Sequence, residues 1–267
     1  HPPIDAPRYY FDLYNGRDLA APYRGDWNDE ERMLRDGHSY HAQSSPSDPE
    51  YIRQLRVGYY GAITHMDHQI GRLISALVEQ KLMDNTVILF VSDHGEMLGD
   101  HLMFQKAKPY QGSVQVPMFL SGPERLIGKH RRVCGDLVEL RDVMPTLLEL
   151  AGAEIPATVD GESMLHAVDR AYLHGEHSLS MDSMHFIVTK TDKYVWYSQT
   201  GRELYFDLEA DPHETHNAIG DPENADRIAY LRSCLIRELD GREEGYSDGA
   251  QLFVGKPPLT VLQNSLI

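Results

Sequence analysis

The sequence is poor in cysteine, short of positive charge and without a long apolar run. Only Cys134 and Cys234 stand among its 267 residues. Two thiols in unrelated surroundings build neither a disulfide framework nor a thiolate zinc site, and both read as core or near-surface thiols. No apolar stretch approaches the about 18 residues that a membrane-spanning helix needs. Lysine and arginine total 25 against 41 acidic residues, a net charge of −16. That balance argues against nucleic acid or an anionic membrane surface as a partner. It still permits a local basic pocket, although an anionic ligand would gain no long-range steering. An initiator methionine is missing as well. The chain opens on His1-Pro2-Pro3, so a preceding segment is expected and the lack of a signal peptide carries no weight. What remains is ordinary for a globular protein, 41% hydrophobic and 25% charged. The length suits one large α/β domain, or a main domain with a smaller appendage.

The most informative stretch runs from Thr86 to Gly122. Thr86 to Ser92 is almost entirely apolar or β-branched, which suits a strand buried on both faces of a parallel sheet. It stops at Asp93-His94-Gly95, and a polar loop follows with Glu96, Asp100, His101, Gln105, Lys106 and Lys108. Ligands of open α/β sheets sit beyond the carboxyl ends of strands. Asp93 offers hard oxygens and His94 a neutral nitrogen, a pair that suits a divalent cation. Lys106 adds a fixed positive charge that could hold an anionic oxygen. Metal and cation together read as a site for a tetrahedral oxyanion. The pair taken alone also fits plain turn chemistry, with Asp93 capping backbone N–H groups and Gly95 supplying an unusual φ.

The longer pattern is more specific. S-D-H-G-E-M-L-G-D-H, a lysine five residues after His101, and V-Q-V-P-M-F-L-S-G-P closely resemble the sulfatase family of alkaline-phosphatase-type hydrolases. PRYYFDLYN, LRDVMPTLLELAGAEIP, VDGESM and ELYFDLEADPHETHN resemble it too. The resemblance implies that Asp93 and His94 are metal ligands and that Lys106 contacts the sulfate ester. It implies the same contact for His1, with a role as acid towards the leaving oxygen, where a frayed terminus would otherwise be read. His101 and His174 are further expected substrate contacts. Calcium is the expected ion, with manganese or magnesium as alternatives. Sulfatases use a formylglycine made from cysteine or serine in a C/S-x-P-x-R motif. Neither Cys134 (VCGDL) nor Cys234 (SCLIR) has that context, so the nucleophile and the remaining metal ligands are expected upstream of His1. The isolated chain should then be inactive. Alternatives are a phosphonate monoester or phosphodiester hydrolase of the same superfamily, and a non-catalytic relative.

The remaining segments give the frame. Residues 4 to 46 read as an irregular pocket-shaping loop. Ser47-Asp48-Pro49-Glu50 starts a helix running to about Lys81, whose apolar stripe (Ile52, Leu55, Tyr59, Ile63, Met66, Ile70, Leu73, Leu77) should pack on the sheet. His65 and His68 read as its polar edge. The basic residues of 124 to 132 read as a solvated connection. Arg141 to Leu150 reads as a helix with Leu147, Leu148 and Leu150 inward. Beyond a linker at 153 to 170, MHFIVTK, KYVWYSQ and RELYFDL predict an antiparallel meander, and an amphipathic helix is expected over 222 to 239. His174-Gly175-Glu176-His177 invites a metal reading, but residues i and i+3 of a strand point to opposite faces. The expected fold is therefore α/β. It pairs a mostly parallel, helix-flanked sheet over residues 1–165 with a small α+β subdomain, an antiparallel sheet plus helix, over 166–267. The expected partner is a small sulfate ester.

Overall fold

The computed structural model describes residues 3–28, 48–129, 133–177 and 183–259. The first element falls where an irregular loop was expected: helix α1, Arg8–Asn15. Its eight residues are too short for a period to register in sequence, and its stability comes from tertiary packing. It lies against helix α2, Pro49–Glu79. Tyr14 Oη sits 2.7 Å from Thr64 Oγ1, and the Tyr10 ring meets His65 and His68 at 4.7 and 5.4 Å. The two histidines thus form the polar helix edge that the sequence suggests. Asp48 caps α2, accepting from Glu50 N at 3.0 Å, with Pro49 in the first turn. Only the N-terminal half of the helix is buried, at Ile52, Arg56, Val57, Gly58 and Gly61. Further along, Ile63, Met66 and Leu73 stay about half exposed. The buried part of the stripe packs against α1 and the loop at Leu98–Asp100, where the sheet was expected.

Strands β1, Ile88–Val91, and β2, Met118–Ser121, pair antiparallel, with Val91 opposite Met118. Both sheets among the described residues are antiparallel, so the expected mostly parallel sheet is corrected here. Strand β1 is only half-buried along its length, not buried on both faces as expected, and an apolar run carries no information on its partner's direction. Helix α3, Val143–Leu150, follows close to its expected limits. It buries Pro145 and Thr146, while Leu147 remains 48% exposed instead of pointing inward.

One buried knot fixes the segment around α3. Asp142 is fully buried, and Arg170 grips both its oxygens at 2.6 Å. Glu162 N and Glu139 N donate to the same carboxylate at 2.8 and 2.9 Å. Burial alone would raise this carboxyl, but Arg170 and the two backbone donors hold it below the usual aspartate range. A depressed folded pKa stabilises the fold above the unfolded value and loses that contribution as pH falls through the folded one. Asp142→Asn should therefore cost roughly 2–3 kcal/mol near neutrality. The gap to wild type should close below about pH 4, as thermal melts across pH 3–7 would read. A gap constant over that range contradicts the assignment.

The C-terminal part is a four-stranded meander in sequential order: β3 Leu173–His177, β4 Met184–Val188, β5 Asp192–Tyr197 and β6 Glu203–Asp207. Helix α4, Ala225–Glu238, covers one face. Alternate residues point to opposite faces of a strand. Ile187, Tyr194, Trp196 and Tyr205 accordingly meet Ile228, Leu231 and Leu235 of α4. Phe186, Val195, Leu204 and Phe206 face the other way, onto Met97, Met103 and Tyr110 of the loop after β1. The sheet is thus a two-sided core element, with the polar loop of the first half as one of its two layers.

Candidate active site

Strand β1 ends at Val91, and Asp93 and His94 are carried just beyond it. A tight turn sets their direction. Gly95 N donates to Ser113 O at 2.8 Å, and a Cβ on Gly95 would lie 2.1 Å from Gly112 O, so only glycine admits this approach. Asp93 Oδ1 accepts from His94 N at 3.0 Å, and its side chain is 85% exposed. His94 Nδ1 lies 2.8 Å from Gly95 O. A carbonyl can only accept, so Nδ1 carries the proton and Nε2 the lone pair. Nε2 stands 3.7 Å from Asp93 Oδ2. A histidine whose second nitrogen is bonded to a carbonyl is the arrangement found behind metal-ligating imidazoles. The donor chemistry thus fits two corners of a divalent-cation site, and calcium would draw further oxygens from elsewhere.

Asp93, His94 and Lys106 line one cavity of about 740 Å3, within the range of small-molecule sites. Lys108, Gln111, the segment Gly135–Leu140 and strand β3 complete its wall. The loop bearing Lys106 is backbone-strained. Leu98, His101, Leu102, Gln105 and Ala107 all adopt positive φ, between 49° and 69°. Such residues persist where surrounding structure over-determines them, and they cluster at functional sites. Three groups do the holding. Buried Arg56 of α2 donates to Leu98 O at 2.9 Å, Ala20 O at 2.8 Å and Asp100 Oδ1 at 2.7 Å. Glu96 Oε1 accepts from Leu98 N at 3.3 Å and from Gln105 N. Lys193 Nζ, fully buried on β5, donates to Pro109 O at 2.6 Å, Gln111 Oε1 at 2.9 Å and Glu214 Oε1 at 2.6 Å. Glu214 in turn accepts from Gln111 N at 2.7 Å.

The model of the sulfatase family matches residues 1–153, more than half of the chain, and the C-terminal model of N-sulphoglucosamine sulphohydrolase matches residues 99–240. The chain belongs to the sulfatase family. An arylsulfatase of Clostridium perfringens (strain 13 / Type A) is 47% identical, over 98% of this chain and 56% of that protein. A multifunctional alkaline phosphatase superfamily protein of Trinickia caryophylli is 34% identical, over 91% of this chain and 53% of its own. Among solved structures, the phosphonate monoester hydrolase of Silicibacter pomeroyi superposes with a TM-score of 0.76 at 28% identity. That match covers 90% of this chain and 54% of that one. The chain thus spans about half the length of the relatives it matches.

Of the two other expected substrate contacts of this sulfatase chain, His174 borders the cavity and His101 does not. His101 is 3% exposed and sits between Trp27 and Tyr110, with ring centroids at 4.9 and 5.4 Å. Burial lowers its pKa to about 4, so it is a neutral core imidazole, and it is not in the cavity wall. The chain reverses at His101 (φ 52°), which turns the ring inward. His174 belongs to β3, which borders the cavity, but its ring stacks on His185 at 5.6 Å. His185 lies in register with Trp196, on the face covered by α4. By strand alternation His174 shares that face and His177, in register with Met184, takes the opposite one, and both border the cavity. His1 lies outside the described residues. Arg56, Lys193 and Glu214 escaped sequence reasoning. A buried lysine inside an apolar strand, Lys193 in KYVWY, was the one available signal.

Proposed function

We propose that this chain forms the latter half of the active site of a metal-dependent sulfuric ester hydrolase acting on a small sulfate ester. The observation that carries the reading is that Asp93, His94 and Lys106, three residues from one loop, line a single cavity. Asp93 Oδ2 and His94 Nε2 would hold the divalent ion, calcium by preference, which when bound neutralises ester oxygens and polarises the sulfur centre. Lys106 places its ammonium against the sulfate oxygens and stabilises the negative charge that develops on them. His1 serves as acid towards the leaving alcohol. The nucleophile, a formylglycine, belongs to sequence outside these 267 residues, since neither cysteine lies in the required motif.

A second reading is favoured by the likeness to the phosphonate monoester hydrolase of S. pomeroyi, and the Asp93-His94 pair suits it as well. Both esters present a tetrahedral oxyanion to the same three side chains. The full-length protein carrying this chain should be assayed with an aryl sulfate and the matching aryl phosphonate monoester. We expect the higher kcat/KM on the sulfate. A higher value on the phosphonate transfers the assignment to the second reading. Turnover of neither identifies a non-catalytic relative, and turnover of aryl sulfate by the isolated 267 residues refutes the division of the site.

A further inference from the structure

At the β3 edge of the meander, where His174 and Glu176 border the cavity, three metal-type donors converge. His174 and Glu176 are two apart on edge strand β3 and so share a face. His185 sits directly across from Glu176 on β4. His174 Nε2 lies 3.4 Å from His185 Nδ1, and Glu176 Oε2 lies 3.2 Å from the same Nδ1. All three donor atoms fall within 4.8 Å of one another. Two ligands of a tetrahedral zinc ion, each bonded at 2.0–2.1 Å, stand about 3.3–3.4 Å apart. The two short edges therefore match those of a zinc tetrahedron. They are long for charge-assisted hydrogen bonds, which run about 2.7–2.9 Å.

A second observation points the same way. His185 Nδ1 faces both a carboxylate oxygen and a second imidazole nitrogen, while its buried Nε2 has no hydrogen-bond partner among the described residues and is enclosed near the rings of Tyr246 and Trp196 at 5.2 and 5.9 Å.

The surrounding charge suits that cation. Arg242 contacts both Glu176 oxygens, at 2.7 and 3.2 Å, which by itself would oppose a metal. Its other partner is the fully buried carboxylate of Glu244, 2.8 Å away. Two carboxylates against one guanidinium leave a local charge of −1. We infer that His174 Nε2, Glu176 Oε2 and His185 Nδ1 form a site for a divalent transition metal of the zinc type, with water in the fourth position. The two-imidazole, one-carboxylate set selects zinc-like ions over calcium. His174 and Glu176 also border the cavity of Asp93, His94 and Lys106, at the edge of the sheet. The site's effect is to staple edge strand β3 to β4, and it stands independently of the sulfatase reading.

Cobalt(II) titration of the 267-residue chain tests it, with the visible d–d bands of tetrahedral cobalt as readout. Asp93→Asn serves as background, to remove the other candidate ion site. We expect one tetrahedral cobalt per chain in this background, and a rise in melting temperature with zinc. His174→Gln should weaken binding by more than about tenfold, since even outer-shell partners of a metal matter on that scale. Glu176→Gln, at a partly exposed position, gives the same reading should His174→Gln fail to fold. Absence of tetrahedral bands in the Asp93→Asn protein overturns the site, as does undiminished cobalt affinity in the folded variant.

Discussion

Replacing Lys106 by methionine in the full-length protein should lower kcat/KM on an aryl sulfate by about 10²–10³, the loss seen when one preorganised oxyanion donor is removed. The ammonium is the cation that the loop after β1 brings to the cavity along with Asp93 and His94. Charge that builds on sulfate oxygens in the transition state interacts with it more strongly than ground-state charge does, so the fall should appear in kcat as well as in KM. Methionine keeps the length and apolar stem and removes only the charge. A melt recorded on the same sample separates chemistry from folding. Activity within threefold of wild type, in a protein of unchanged melting temperature, would remove Lys106 from the site and with it the oxyanion reading of the cavity.

The second large effect belongs to Lys193. Its ammonium is fully buried beside Glu214 and bonded to Pro109 O and Gln111 Oε1. Burial pushes its pKa down against the pull of Glu214. Lys193→Met leaves the Glu214 carboxylate buried and short of its cation. Breaking a buried pair from one side costs about 3–5 kcal/mol, or roughly 6–20 °C in melting temperature for a chain near this size. Neutralising the partner as well should return part of that loss, so Lys193→Met/Glu214→Gln should melt above the single variant. If the double variant melts lower, the two side chains contribute independently and the buried pair is not the unit holding the loop. Because Pro109 follows Lys108 and lies three residues from Lys106, the single variant should also lose activity beyond what its unfolded fraction explains.

How much of this was legible in sequence depends on how local each feature is. The Asp93-His94 pair and Lys106 sit within fourteen consecutive residues, and a strand stopping at a Gly-punctuated polar loop is a local signal. The meander and α4 were equally local, since their periods and turn residues fix them. Strand direction was not. The run from Thr86 to Ser92 signals a strand, but its residues are only half-buried and the antiparallel partner lies 27 residues on at Met118. Lys193 and Glu214 find each other across 21 residues, and Arg56 reaches Leu98 across 42; neither contact leaves a periodic trace. The histidines of HGEH were weighed as a pair within one segment. The residue that completes their cluster, His185, sits across the hairpin, where alternate positions on facing strands would have revealed it.

The five side-chain-bearing residues in left-handed backbone between Leu98 and Ala107 have a consequence for any attempt to reduce this protein. Each costs on the order of 1 kcal/mol, so together they tax the fold by an amount comparable with the net stability of a whole domain. Met97, Met103 and Tyr110 hold that segment down only because Phe186, Val195 and Phe206 lie beneath it. Trimming away the meander should let this loop relax into ordinary backbone and separate Asp93, His94 and Lys106. The last hundred residues thus act as the anvil on which the turn after β1 is bent.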